Sequence, residues 1–124
     1  MRVLEINSVC SVTSTGRIVS DICKAGTERG YEMKIAYGEQ KYKNTDDTLN
    51  VYRIGSVFGN YVHALYTRIT DKHGLASKAD THRLLREIES FKPDVNHPHN
   101  LHGYYINYEI LFGYLKAHQD IKVI

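Results

Sequence analysis

The chain has 124 residues, 42% of them apolar and 24% charged, a balance that fits one folded domain with a single core and excludes a disordered segment. Sixteen basic and 14 acidic residues leave a formal charge of +2. The basic residues are scattered rather than massed, so the electrostatic footprint of a nucleic-acid binder is missing. No stretch approaches the ~20 apolar residues that span a bilayer, and no secretory signal opens the chain, so a cytoplasmic protein is expected.

Val3 to Val9 is short, apolar and β-branched, and the polar run Ser11 to Gly16 bounds it, which predicts a buried first strand. From Arg17 to Arg29 the apolar residues Ile18, Val19, Ile22, Cys23 and Ala25 follow one helical face, and Gly30 stands where a left-handed cap would close it. Cys10 and Cys23 have no paired spacing and read as reduced, buried, small apolar residues. Met33 to Tyr37 and Val51 to Ile54 predict two further strands, each followed by glycine, with Glu39 to Asn50 as a surface connection. Val62, Leu65, Tyr66 and Ile69 keep helical spacing within an insertion from Phe58 to Thr70, and Asp71 to Gly74 is a polar link.

Ser77-Lys78-Ala79-Asp80 has the capping-box pattern ahead of a helix that would bury Leu84, Leu85, Ile88 and Phe91. Lys92-Pro93-Asp94 ends it. Val95 to His99 stands at the fourth strand, Tyr104 to His118 predicts a helix buried through Tyr108, Leu111, Phe112 and Leu115, and Ile121 to Ile124 begins another strand. This alternation implies an α/β fold: a Rossmann-like, open, mostly parallel sheet of about five strands with helices on both faces. Asn96 and Pro98 disturb the fourth strand, one placing an amide in the core and the other removing a ladder donor, so it either ends early or is weakened.

In an open parallel sheet, ligands bind outside the carboxyl ends of the strands, which directs attention to Ser11–Gly16 and Asn100–Gly103. The first offers the hydroxyls of Ser11, Thr13, Ser14 and Thr15, the small Gly16, the cation of Arg17 and the free N–H groups of the helix that follows. Capping of that helix by Ser14 or Thr15 competes with anion contact and is compatible with it. The dinucleotide pattern Gly-x-Gly-x-x-Gly and the Gly-Lys-Ser/Thr ending of a P-loop are both absent, which removes nicotinamide and simple nucleotide-hydrolase readings.

His97-Pro98-His99-Asn100-Leu101-His102 gathers three of the seven histidines at a strand end. His97 and His99 would share one side of the strand, and His102 could turn back to complete a zinc set. No cysteine or nearby carboxylate completes that set, so hydrogen bonding to a hydroxyl-rich ligand is favoured and no metal is expected; packing beneath the loop is the competing role. Of the tyrosines beside them, Tyr105 is placed next to the ligand and Tyr108 in the core. No complete catalytic set emerges.

The blocks Ser14-Thr15-Gly16-Arg17-Ile18 and Pro93-Asp94-Val95 through His97 to Tyr105, with the link Asp71 to Lys78, resemble bacterial family 4 glycosyltransferases of the GT-B fold. The likeness is greatest to those of colanic acid and related surface-polysaccharide synthesis, and it covers essentially the whole chain. It implies retaining transfer of a sugar from a nucleotide diphosphate sugar to a polysaccharide or lipid-linked acceptor, in a cleft between two Rossmann-like domains. No cofactor would be tightly held, the nucleotide diphosphate sugar being a co-substrate of the full-length enzyme. Residues 1–124 would be the acceptor-side N-terminal domain, truncated and inactive alone, with the donor-binding domain and its paired glutamates absent.

On that resemblance Ser14, Thr15, Gly16 and Arg17 match the loop that approaches the donor diphosphate, and His99, Asn100 and His102, with Tyr105 beside them, the acceptor cleft. The parent enzyme would associate peripherally with the inner face of the plasma membrane. Two other readings stand beside it: a stand-alone interaction module that self-associates through the strand edge at Ile121 to Ile124, and a zinc hydrolase using His97, His99 and His102.

Overall fold

The computed structural model describes residues 1–38, 46–55, 77–102 and 105–124. The expected helix within Phe58 to Thr70, the link Asp71 to Gly74, and the residues Gly103 and Tyr104 lie outside them. The order is β1 (Arg2–Asn7), α1 (Thr13–Glu28), β2 (Glu32–Tyr37), β3 (Val51–Arg53), α2 (Lys78–Phe91), β4 (Val95–Pro98), α3 (Tyr108–Ala117) and β5 (Lys122–Val123). All pairings are parallel and the spatial order is β3-β2-β1-β4-β5, so the first strand is the central one.

Side chains alternate across the pleat, and this divides the core in two. Val3, Met33, Ile35, Tyr37 and Val95 point to the face covered by α1, where Val19 and Cys23 meet them. Leu4, Ile6 and Ala36 point to the opposite face, where Leu84, Ile88 and Phe91 of α2 and Leu111 and Leu115 of α3 complete a larger cluster. The expected Rossmann-like sheet with helices on both faces is therefore present. No helix among the described residues is long and apolar enough to cross a membrane.

Helix ends follow local chemistry, with departures from expectation. Gly30 has φ +79°, its N–H donates to Thr27 O, and Tyr31 N–H donates to Gly26 O, the two bonds of a Schellman motif. At the start of α2, Ser77 is the N-cap residue but lies in the left-handed region at φ 58°, and its side chain makes no capping hydrogen bond. The expected capping box does not form. Thr81 bonds back to Ser77 O instead, through both its N–H and its hydroxyl, at 3.0 Å each.

α3 begins four residues later than its apolar pattern suggests. Asn107 caps it, accepting from Ile110 N–H at 3.1 Å. This phase leaves Tyr108 at 39% and Phe112 at 46% exposure, so only Leu111 and Leu115 of the four expected core positions are buried. β4 ends at Pro98, the first of the two outcomes its sequence allows. His99 N–H resumes bonding to Ile6 O at 2.8 Å, while Ile124 N–H donates to Asn96 O. By alternation the donor missing at Pro98 faces the β5 side, where pairing stops at Val123, so no bond to β1 is lost.

Candidate functional site

Two groups of polar residues occupy the carboxyl-end half of the sheet on its α1 side. The first is the β1–α1 turn. α1 starts at Thr13, four residues before the expected start at Arg17, so Ser14, Thr15, Gly16 and Arg17 form its first turns and not a preceding loop. Ser14 and Arg17 are exposed, Thr15 is half-buried and Gly16 is buried. The N-cap position falls on Val12, which has no side-chain cap, so neither Ser14 nor Thr15 plays the capping role considered for it.

Gly16 is tightly packed. A Cβ there would stand 3.1 Å from Val9 Cγ2 and 3.3 Å from both Cys10 C and Ser11 N, so the first turn lies directly against the end of β1. Ser11 and Thr13 both have positive φ, at 62° and 60°, a conformation costly for residues bearing a Cβ. It is fixed by bonds from Ser11 N–H to Gly16 O at 3.2 Å and to Ser20 Oγ at 3.1 Å. Ser20 in turn donates to Gly16 O at 2.9 Å, and its hydroxyl lies 3.2 Å from that of Ser11.

Arg17 opens onto a polar cleft shared with Ser11, Asp21, Lys24, Asp46 and Asp47. Across it Lys24 Nζ pairs with Asp46 Oδ2 at 2.6 Å. That bond, with the hydroxyl and N–H of Thr48, holds the Asp46 carboxyl down at about 2.

The second group is built by register. Glu5 lies opposite His97 in the β1–β4 ladder, and His99 follows two residues on, so all three side chains leave the same face of the sheet. His97 Nδ1 stands 3.1 Å and His99 Nε2 2.5 Å from the same oxygen, Glu5 Oε2. The rings lie 4.0 Å apart between centroids. Glu5 is 1% exposed although it carries a carboxylate. Its neighbour on α1 is Cys23, whose thiol is pushed up to about 12 by burial first and by the Glu5 charge second.

Asn7 and Asn100 tie this group to the strand ends. Asn7 Nδ2 donates to Val9 O at 2.8 Å, and its Oδ1 accepts from Asn100 N–H at 3.3 Å. Asn100 Oδ1 accepts from His102 N–H at 3.0 Å, a local turn that leaves the His102 residue exposed. His99, Asn100 and His102 thus line one strand end, but the cluster that forms is Glu5-His97-His99, and His102 stays outside it. The alternative set of three histidines is not brought together among the described residues.

Tyr105 is a clear correction. It is fully buried in the α2/α3 core rather than beside a ligand, and its hydroxyl donates to Asn100 O at 2.7 Å. Burial pushes that hydroxyl well above its ordinary range. Glu5 is the residue that sequence reading passed over. Its signal was a lone carboxylate at the centre of Val3-Leu4-Glu5-Ile6, a strand apolar enough to be buried.

No family model matches the chain, and no curated protein matches it in sequence. Among solved structures it is similar to the glycosyltransferase VinC, determined in complex with dTDP: the TM-score is 0.52 at 19% sequence identity. The match covers 82% of this chain and 30% of that one, so the chain spans about a third of the neighbour's length. What the two share is the fold: this five-stranded parallel sheet with its helices corresponds to part of a glycosyltransferase.

Proposed function

We propose that this chain is the acceptor-side domain of a glycosyltransferase that uses a nucleotide diphosphate sugar. The observation that carries the reading is the structural likeness to a glycosyltransferase solved with dTDP, over most of this chain and a minor part of that one. The blocks that resemble family 4 enzymes add to it, because they fall at one end of one sheet: Ser14 to Arg17 in the first turns of α1, and His99 to His102 just beyond β4.

On this reading the exposed Arg17 and the uncapped first turn of α1 face the donor phosphates, where N–H groups and a cation favour an anion. His99, Asn100 and His102 line the acceptor side. Tyr105 holds the Asn100 loop from beneath and does not touch the acceptor. A second α/β domain supplies most donor contacts, transfer proceeds with retention, and the acceptor is a polysaccharide or lipid-linked sugar reached at the inner membrane surface.

The test is calorimetric titration of dTDP- and UDP-sugars into this chain joined to the second domain of its reading frame. Binding is expected, weakened by Arg17→Ala. A two-domain protein that binds no nucleotide sugar would refute the reading.

A further inference from the structure

Burying a carboxylate in the central strand of a sheet is costly unless positive charge or several donors meet it. Among the described residues, two imidazoles converge on Glu5 Oε2, one from β4 and one from the residue just beyond it. Both rings present a nitrogen to the same carboxylate oxygen, with their centroids 4.0 Å apart. A divalent ion held among the three would supply positive charge directly at the buried carboxylate.

We propose that Glu5, His97 and His99 form a binding site for a divalent transition-metal ion of the zinc class. The donor set is two imidazole nitrogens and one carboxylate oxygen, a combination that suits zinc and not the oxygen-seeking magnesium or calcium. The three ligand atoms all lie within 4.8 Å of one another. Tetrahedral coordination with bonds of about 2.0–2.2 Å places ligand atoms roughly 3.3 Å apart. The Glu5–His97 separation of 3.1 Å is already close to that, and the Glu5–His99 separation of 2.5 Å needs only to widen slightly.

Strand register sets Glu5 and His97, and the bond from His99 N–H to Ile6 O holds His99 one residue beyond β4. Three protein ligands leave a fourth coordination position. The imidazole side chains are 28% and 17% exposed, so an ion has access from their side. Glu5 and His97 also line an apolar groove with Val3, Ile22 and Val95, which lowers the local polarity around the ligands. The site stands whether or not the chain serves a glycosyltransferase, since its readout is the metal itself.

The experiment titrates zinc chloride, and separately cobalt chloride, into metal-stripped protein at pH 7.5, with a competing chelator to fix the affinity. Expected are one ion per chain, a cobalt spectrum with no thiolate charge-transfer band, and a melting temperature that rises with zinc concentration. Glu5→Gln, His97→Gln and His99→Gln should each weaken binding at least about tenfold. His82→Ala, at an exposed position on α2, should not. If Glu5→Gln fails to fold by circular dichroism, His97→Gln decides, because its ring is the most exposed of the three side chains. Zinc affinity unchanged in the folded variants, no saturable zinc binding, or a cobalt–thiolate band that moves the ion to Cys10 and Cys23 would each overturn the proposal.

Discussion

The side chain of Tyr105 lies so close to Gly38 that a Cβ at Gly38 would overlap the tyrosine's Cβ, Cγ and Cδ2 atoms. The glycine ends β2 and the tyrosine is fully buried, so neither partner has room to move away. Gly38→Ala is therefore expected to destabilise the fold by about 2–3 kcal/mol through overpacking. Urea denaturation at constant m-value would show it as a lower midpoint. A midpoint equal to that of the parent protein would mean that the ring is not held there.

Gly26 gives the opposite expectation from a similar geometry. A Cβ there would meet the side chain of Met33, with Sδ at 2.5 Å, but that is the far end of a flexible thioether. Gly26 also sits within α1, where alanine is preferred by up to about 1 kcal/mol. Gly26→Ala should leave stability unchanged or raise it slightly in the same denaturation assay. A loss comparable to that of Gly38→Ala would show that Met33 cannot yield.

Asn96 is fully buried between Leu4 and Val123 in the sheet register, and neither its Oδ1 nor its Nδ2 has a hydrogen-bond partner among the described residues. Replacing it with a similar-sized apolar residue removes that desolvation cost. Asn96→Leu is expected to stabilise by about 1–3 kcal/mol, raising the melting temperature by several degrees. Adding Pro98→Leu should contribute little, since the donor absent at Pro98 faces away from β1. Calorimetric scans of the single and double variants would separate the two; a fall in melting temperature for Asn96→Leu would show that its amide is partnered.

Cys23 supplies a pH dependence. Its thiol rises from an ordinary 9.0 to about 12 in the fold, so the folded state holds the proton more tightly than the unfolded chain. The corresponding stability is fully present below about pH 9 and is lost progressively as pH climbs toward 12. Cys23→Ala should lack this part of the alkaline slope, seen by comparing denaturation midpoints of the two proteins at pH 8, 9.5 and 10.5. The thiol should also react slowly with disulfide reagents at pH 8 in the folded protein. Parallel slopes for the two proteins would remove Cys23 from the account.

Strand periods, the helical stripe at Val19 and Cys23, and Gly30 as a cap carry the topology in plain view, because each depends on local spacing. The site was less legible. Thr13 to Gly16 contain no apolar residue to reveal a helical phase, so α1 could be seen only from Ile18 onward. Tyr105 and Tyr108 exchange their expected places because Asn107, and not the first tyrosine, sets the start of α3. His97 and His99 could be placed on one side of a strand from their spacing, but their partner Glu5 is 92 positions before His97. Only the pairing of β1 with β4 brings it there.

That same pairing shapes how the chain folds. β1 finds β2 through one helix, yet it meets β4 only after a far longer stretch of chain has been closed, as in the 2.6 Å bond from Arg2 N–H to the carboxylate of Asp94, 92 residues away. Closing a loop of that length before its contacts can repay the entropy makes the docking of β4 the slow step. The β1–α1–β2 unit is thus the early-forming half, and the histidine strand, with β5 on its outer edge, docks after it. Until then Glu5 lacks both imidazoles, and the carboxylate acquires its hydrogen-bond partners only when β4 docks.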